Sequence, residues 1–258
     1  MQSNRSNSLD PISISNWRWA YFLDETIKAF SIFQPRPYPI KNDFLYRESF
    51  FGSSSNPKKV FLETWGLNTE KIRQARCACL QAGEITSVMN LVITPFNNYD
   101  LPFFGADFVT LPNGHLIALD LQPALKDDIN HTQNVWDKLK PIHSKWQSKL
   151  PSGGAITSEA RQYFSPAFLW SRIPLGEEGD KLISQIIKPA FNEYLNCFLD
   201  LLIDAKMISK ERSLKMLNGQ KEYMRYRAEK DPARRMLRGF FGELWTERYI
   251  NNILFDLK

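Results

Sequence analysis

The apolar residues between positions 17 and 30 recur at helical spacing, so this segment is predicted to form an amphipathic helix with one buried face. Ser13 or Ser15 is available as its N-cap, because a serine hydroxyl accepts a hydrogen bond from the free amides of a first turn. The proline-rich segment 34–39 then ends the helix, since proline has no amide hydrogen and disfavours helical geometry in the residue before it.

From about residue 44 to residue 122 the apolar residues alternate with polar ones or form short blocks between turn residues, which is typical of strands. Gly83 and the segment 112–114 supply tight turns. Connections this short leave no room for crossover helices, so we expect an antiparallel meander. The predicted strands are 46–51, 59–64, 72–81, 85–94, 103–111 and 115–121.

After Pro123 the apolar residues return to helical spacing, and Pro189 is predicted to kink the longest of these helices. A helix, a run of strands and a run of helices together predict an α+β fold in which helices cover an antiparallel sheet. We expect one domain over residues 1–258, with residues 1–12 flexible. The predicted helices are 127–146, 158–163, 178–205, 210–230 and 232–253.

The basic residues are concentrated in one part of the chain. The whole chain has 33 Lys and Arg against 28 Asp and Glu, a net charge of +5. Between residues 205 and 238, eleven basic residues stand against four acidic ones, a local surplus of seven. Such a run is usually a solvated helix face, but it also suits a nucleic acid, a substrate carboxylate or an acidic protein partner.

Several classes of protein lose support. No stretch approaches the roughly 18 consecutive apolar residues of a membrane-spanning helix, and the first residues lack the apolar centre of a signal peptide, so we expect neither a membrane protein nor an exported one. No glycine-rich nucleotide-binding loop and no serine-hydrolase elbow is present. The cysteines and histidines match no metal-binding spacing, so we expect structural thiols and no metal site. They are Cys77, Cys79, Cys197, His115, His131 and His143.

Two polar residues lie inside strands that are otherwise apolar. Asp107 shares one face of its strand with Phe103 and Val109. On an exposed edge it has no further role, whereas a buried carboxyl must be hydrogen-bonded or protonated, and a neutral carboxylic acid in an apolar pocket is a proton donor. Asn90 can donate to and accept from a ligand carbonyl or pyrrole nitrogen, although a bond to a nearby loop backbone is the simpler interpretation.

Asp231 and the arginines before it form a second candidate group. Asp231 precedes Pro232, and an aspartate N-cap followed by proline is an ordinary start of a helix. A capping carboxylate at the rim of a pocket can also transfer protons, so the two interpretations do not exclude each other. Arg225 and Arg227 can hold a carboxylate through paired hydrogen bonds, or simply face water.

Six segments resemble sequence landmarks of the ferredoxin-dependent bilin reductases. Each is weakly specific alone, but they occur in the family's order and together span most of the chain. Segments 73–83 (RQARCACLQAG) and 85–90 (ITSVMN) most resemble the members that form phycoerythrobilin. The six landmarks are 103–109 (FFGADFV), 118–123 (ALDLQP), 164–169 (FSPAFL), 230–234 (KDPAR), 241–247 (FGELWTE) and 254–257 (LFDL).

The resemblance implies a three-layer α/β/α sandwich, with a central, mainly antiparallel sheet and a bilin bound between the sheet and the C-terminal helices. It also implies that Asp107 and Asp231 are the catalytic acids that protonate the substrate. We expect Asn90 to orient the pigment and Arg227 to hold one of its propionates. The members that make phycocyanobilin have a histidine where this sequence has Asn90, which argues against reduction of the D-ring vinyl group.

The activity implied is a two-electron reduction of the A-ring diene of 15,16-dihydrobiliverdin to phycoerythrobilin. Reduced ferredoxin supplies single electrons, the bilin becomes a radical, and protein acids add protons, so no bound cofactor is expected. The basic segment would steer the acidic ferredoxin. The implied partners are ferredoxin, the bilin and the preceding reductase, with no nucleic acid and no membrane; the implied compartment is the cyanobacterial cytoplasm or the plastid stroma.

Three other functions remain open from the sequence. A sister reductase that acts on biliverdin would use the same residues, and a tetrapyrrole carrier would have the same pocket without the chemistry. A nucleic-acid-binding protein would combine the basic segment with stacking aromatics, but no matching motif is present. Anaerobic turnover with reduced ferredoxin separates an enzyme from the last two.

Overall fold

The computed structural model describes residues 6–256, which form an antiparallel sheet with helices on both of its faces. The strand order is β1-β3-β4-β5-β6-β7-β8, and β2 pairs with β3. From β3 to β7 each strand pairs with the next in the chain, as their short connections require. The predicted three-layer α+β class is confirmed. The strands are β1 (Arg36–Pro37), β2 (Tyr46–Ser53), β3 (Asn56–Asn68), β4 (Ile72–Ala82), β5 (Thr86–Pro95), β6 (Phe103–Leu111), β7 (Gly114–Gln122) and β8 (Leu169–Ile173).

The six predicted strands correspond to β2 to β7, with boundaries that differ by four residues at most. The sequence prediction lacks β8, whose five residues pair with β7 so that His115 lies opposite Ile173. Local periodicity contains no sign of a pairing that distant. Gly114 makes room for β8, because its φ is +136° and a Cβ there would lie 2.7 Å from the carbonyl oxygen of Ile173.

Except for the short helix Asn42–Leu45, which was not predicted, the helices form where the sequence predicts them, but two of the predicted helices are divided. A π-helical turn, Ile183–Ile187, separates α5 from α6 just before Pro189, whose missing amide hydrogen interrupts the helical ladder. The C-terminal helix is divided at Gly242, where φ is +81°. A second π-helical turn, Ile250–Leu254, follows the part that ends at Tyr249. The helices are α1 (Ala20–Phe30), α2 (Asn42–Leu45), α3 (Ile129–Gln147), α4 (Ser158–Arg161), α5 (Glu177–Leu182), α6 (Lys188–Asp204), α7 (Lys210–Lys230), α8 (Arg234–Phe241) and α9 (Glu243–Tyr249).

Two hydrophobic cores lie on opposite faces of the sheet. On what we call the first face, α1, α3 and α6 pack against alternate strand residues such as Ala106 and Phe108. On the second face, α7, α8 and α9 pack against residues of the intervening set, such as Leu80 and Phe103. Within residues 6–256, no helix combines the length and the apolar character needed to cross a lipid bilayer.

The N-terminal segment makes contacts that the sequence does not predict. Ser8 is buried, and its hydroxyl donates to a backbone carbonyl oxygen of β3 at 2.6 Å. Ser13 donates its amide and its hydroxyl to the carboxylate of Glu63, at 2.9 Å and 2.6 Å. Since α1 begins without a side-chain cap, the predicted serine N-cap is wrong. The expectation that residues 1–12 are flexible stays a prediction, and residues 1–5 lie outside the described part of the chain.

Candidate active site

Polar side chains meet on the second face near the middle of the sheet. Strand residues alternate between faces, so β6 turns Asp107 to the second face while its neighbours Ala106 and Phe108 enter the first-face core. The register of β5 and β6 places Asn90 directly opposite Asp107. The two polar residues that break the apolar strand pattern are therefore neighbours in the fold.

A two-lobed cavity lies between this part of the sheet and the C-terminal helices. One lobe, of about 360 Å³, extends toward the segment before β8 and the end of α7, and the other, of about 450 Å³, lies beneath α8. Both lobes are lined by Asn90, Asp107, Ala118, Trp170 and Pro232, so the two lobes meet at the polar pair. Volumes of this size are typical of sites for organic ligands.

Asp107 is a carboxyl group in largely apolar surroundings. Burial raises its pKa above the ordinary value, and the nearby carboxyl of Asp231 acts in the same direction. The Arg227 guanidinium and a hydrogen bond from Asn90 act against that rise in pKa. The balance favours the protonated acid, which can donate its proton to a ligand in the cavity.

Asp231 faces the cavity from the helical layer. Its Oδ1 accepts a hydrogen bond from the amide of Ala233 at 2.9 Å, and its buried Oδ2 has no hydrogen-bond partner among the described residues. Burial raises the pKa of this carboxyl as well. Because α8 begins at Arg234 with Ala233 in the cap position, the predicted N-cap at Asp231 with Pro232 as first helical residue is wrong. The carboxylate closes a turn just before the helix instead.

Arg227 reaches into the cavity from the last turn of α7, whereas Arg225 is exposed. The Nη1 of Arg227 donates to the hydroxyl of Tyr223 at 3.3 Å, and the guanidinium carbon lies 5.4 Å from the ring centre of Phe255. The structure therefore brings the four predicted site residues to one cavity, and it leaves Arg225 outside.

Arg76 was not among the predicted site residues, although it is fully buried beside Asn90. Its Nη1 donates to the backbone oxygen of Asn90 at 2.9 Å and to the side-chain Oδ1 at 2.5 Å. Its Nε and Nη2 donate to the backbone oxygen of Leu254 at 3.1 Å and 2.9 Å. Its signal in the sequence is a charged residue among the apolar residues of a predicted strand. An arginine at such a position is almost never fully buried unless it has hydrogen-bond partners, so it marks a polar cluster.

Two further polar pairs border the cavity and were also missed. The hydroxyl of Tyr223 donates to Oε1 of Gln122, and its ring stacks on Phe103 with the centroids 4.3 Å apart. Asp120 is 1% exposed and accepts hydrogen bonds from the amide and the hydroxyl of Ser165, at 2.8 Å and 2.5 Å. Burial raises the pKa of Asp120 to about 7. Both missed residues of β7 alternate with apolar ones, the same signal that singles out Asp107.

Stacked aromatic rings form one wall of the cavity. Tyr163 stacks on Tyr226 with the ring centroids 3.9 Å apart, and Phe164 stacks on Phe168 at 4.0 Å. The ring of Phe168 is also nearly parallel to that of Trp170, at 6.0 Å. These five residues line the smaller lobe, and such flat apolar faces suit a flat conjugated ligand.

The thiols lie away from the cavity. Cys77, Cys79 and Cys197 are buried in the first-face core. Within the described residues, no three His, Cys, Asp or Glu side chains are grouped closely enough to hold a metal ion.

Comparison with known proteins identifies the family. Residues 23–256, which include the whole sheet and the C-terminal helices, match the family model described as ferredoxin-dependent bilin reductase. The chain belongs to this family. It is 85% identical, over the full length of both chains, to the phycoerythrobilin:ferredoxin oxidoreductase of Prochlorococcus marinus strain NATL2A. It is 60% identical, again over both full lengths, to the protein of that name from strain MIT 9211.

A solved relative has the same fold. The crystal structure of phytochromobilin synthase from tomato, in complex with biliverdin, superposes with a TM-score of 0.78 at 25% sequence identity. The superposition covers 92% of this bilin reductase and 81% of the tomato chain.

The basic segment of this bilin reductase, residues 205–238, is partly neutralised. Five of its basic residues are exposed and make no ion pair with any residue between 6 and 256: Lys206, Lys210, Lys221, Arg225 and Arg235. Arg227 lies in the cavity. Five other basic side chains of the segment pair with carboxylates: Arg212, Lys215, Lys230, Arg234 and Arg238.

Proposed function

We propose that this chain reduces the A-ring diene of 15,16-dihydrobiliverdin to phycoerythrobilin with electrons from ferredoxin. Its full-length similarity to enzymes named for that product supports the choice of product. The observation that supports the chemistry is that Asp107 and Asp231 face one cavity from opposite layers of the fold. Reduction of the diene adds two electrons and two protons, so two acids match its requirement.

In this mechanism the substrate itself holds the electrons. Each of two reduced ferredoxins transfers one electron and becomes oxidised, and the bilin is a radical between the two transfers. One carboxylic acid gives its proton after the first electron and the other acid completes the product, after which both carboxylates regain protons from solvent. These steps use no bound flavin, iron–sulfur cluster or metal ion.

The electrostatics of the cavity support these roles. The raised pKa values of Asp107 and Asp231 favour the protonated acids that the mechanism needs. Arg227 interacts with both carboxyl groups, so its cation stabilises the carboxylate that remains after a proton has left. We assign Arg227 also to one propionate of the bilin, and Asn90 to the orientation of the pigment beside Asp107.

We propose ferredoxin as the external electron donor and the exposed cations Lys221, Arg225 and Arg235 as part of its docking surface. The reductase that makes 15,16-dihydrobiliverdin is proposed as the partner that hands the substrate over. The reaction would take place where reduced ferredoxin is available, in a cyanobacterial cytoplasm or a plastid stroma.

The substrate is tested by anaerobic turnover with reduced ferredoxin, using biliverdin and 15,16-dihydrobiliverdin separately and identifying the products by chromatography. We expect phycoerythrobilin from 15,16-dihydrobiliverdin and little conversion of biliverdin. Efficient conversion of biliverdin to 15,16-dihydrobiliverdin or to phycocyanobilin would assign a sister activity. Tight binding without any reduction would instead indicate a tetrapyrrole carrier.

The proton donors are tested with Asp107→Asn and Asp231→Asn. Each change keeps the size of the side chain and an oxygen acceptor but removes the acidic proton, so the bilin should still bind while turnover falls about 100-fold or more. The stalled radical should be detectable by electron paramagnetic resonance. Asp24→Asn, at an exposed position of α1, is the control and should keep full activity.

Melting temperatures of the variants separate lost chemistry from lost folding, which matters for Asp231 because its Oδ1 closes a turn. Normal turnover by both variants would show that these carboxyl groups are not the donors.

A further inference from the structure

Arg76 connects the polar pair of the cavity with the C-terminal end of the chain. Its Nη1 holds the backbone oxygen and the Oδ1 of Asn90, while its Nε and Nη2 hold the backbone oxygen of Leu254. All of these acceptors are neutral, and Arg76 makes no ion pair with any residue from 6 to 256. Burying a cation without a carboxylate partner is costly, so its position calls for a reason beyond packing.

The bond from Arg76 fixes which way the Asn90 amide points. An arginine side chain carries only donors, so only the oxygen of the amide can face it. The NH₂ group of Asn90 must then point to the other side. Asp107 lies there, directly opposite in the β5–β6 register, and the hydrogen bond from Asn90 is one of the influences that lower the pKa of Asp107.

We infer that Arg76 is a positioning residue that makes Asn90 present only hydrogen-bond donors to the bilin. The inference rests on the proposed function. With its oxygen turned toward Arg76, Asn90 offers its NH₂ group to the cavity, so it pairs with a lactam carbonyl oxygen of the pigment and not with a lactam or pyrrole N–H. The pigment is therefore held with a carbonyl at Asn90, next to the acid of Asp107.

A double-mutant cycle on bilin affinity tests this inference. The dissociation constant is measured by absorbance titration with 15,16-dihydrobiliverdin, in the dark and without ferredoxin. Arg76→Met lets the amide turn and should raise the dissociation constant about threefold to tenfold, the effect of losing one hydrogen bond. In an Asn90→Ala background the same change should alter it by less than about twofold, because there is no amide left to orient.

Gln74 provides a matched control on the same face of β4. It is buried, and its Nε2 donates to the backbone oxygen of Ile253 at 3.3 Å, so it holds the same C-terminal turn without touching Asn90. Gln74→Leu should lower the melting temperature and leave bilin affinity unchanged. If Arg76→Met folds too poorly to measure, Arg76→Lys completes the cycle, since one ammonium nitrogen cannot take the places of the separate guanidinium nitrogens that bond Asn90 and Leu254.

The pH profile of turnover is the second measurement. The groups that act on Asp107 are Arg227, Asn90, Asp231 and Arg76, and both Arg76 and Asn90 lower its pKa. Removing either raises that pKa, so the fall in rate at alkaline pH should move to higher pH in Arg76→Met and in Asn90→Ala. It should stay in place in Gln74→Leu.

Equal effects of Arg76→Met in both backgrounds would overturn the inference, as would an unchanged alkaline limb. A wild-type protein that binds the bilin but never reduces it would refute the proposed function instead, and the affinity cycle would still decide the role of Arg76.

Discussion

Three buried carboxyl groups of this bilin reductase share one physical perturbation and differ in what they contact. Burial raises the pKa of Asp107, Asp120 and Asp231. Asp107 and Asp231 line the larger lobe of the cavity, so their protons are within reach of a ligand. Asp120 has both oxygens bonded to Ser165, in the loop that carries Phe164 and its stacked ring partner. We therefore expect Asp120 to act on stability rather than on chemistry.

Asp120 should make the stability of the protein depend on pH. Its pKa is raised from 3.8 to about 7, so between these values the folded protein binds a proton that the unfolded chain has released. The free energy of unfolding should therefore fall as pH rises through this range, by on the order of a few kcal/mol, and change no further above it. Asp120→Asn cannot ionise and can still bond both groups of Ser165, so its decline should be smaller. Urea unfolding of the wild type and of Asp120→Asn at pH 5 and pH 8 measures the two declines in the free energy of unfolding.

Asp107 and Asp231 also make the free energy of unfolding fall with pH, in the wild type and in Asp120→Asn alike. The contribution of Asp120 is therefore the difference between these two proteins. Asp24→Asn on the exposed side of α1 should behave like the wild type. Identical slopes for wild type and Asp120→Asn would show that Asp120 does not hold the extra proton.

At the scale of elements, the sequence predicted what depends on local pattern. The helix 210–230 has its predicted bounds and β6 has both of its predicted ends, because Ser209 caps the start of the helix and the turn at 112–114 follows the strand. β8 could not be found, since its five residues become a strand only by pairing with β7. The division of the C-terminal helix at Gly242 could have been found from the glycine itself.

In the candidate site, too, the sequence predicted the residues that a local pattern marks and not the long-range contacts. Asp107 and Asn90 were found because polar residues in apolar strands are conspicuous, and their register follows from the meander. Arg76 and Asp120 carry a similar signal and were overlooked. That Asp231 faces the same cavity as Asp107 depends on how α7 and α8 pack on the sheet, a long-range contact that no local pattern encodes.

Across the whole molecule, the helical layer that covers the cavity is the one that carries much of the basic segment. The second-face layer carries the exposed, unpaired cations Lys221, Arg225 and Arg235 described above, and it also covers the cavity. If this surface docks ferredoxin, turnover should fall as salt rises, because screening limits the reach of a charge to about 8 Å at physiological ionic strength. Steady-state rates from low to high salt, at fixed ferredoxin concentration, measure this.

Charge reversal locates the docking surface. Lys221→Glu with Arg225→Glu should slow ferredoxin-driven turnover at low salt and leave bilin affinity unchanged. Lys28→Glu with Lys138→Glu is the matched control, since both lysines are exposed on helices of the first-face layer. Turnover rates that do not change with salt, or equal losses of turnover in the two double variants, would show that ferredoxin docks elsewhere.

The alternation of β6 between two cores also has a consequence for how such an enzyme can be redesigned. The strand that carries Asp107 is anchored from behind by Phe104, Ala106 and Phe108, none of which borders the cavity's larger lobe. The sheet thus separates the first-face core, which stabilises the fold, from the surface that contacts the pigment. A library confined to cavity-facing positions such as Val88, Val109 and Ala118 can vary the accepted bilin while the scaffold behind it keeps its packing.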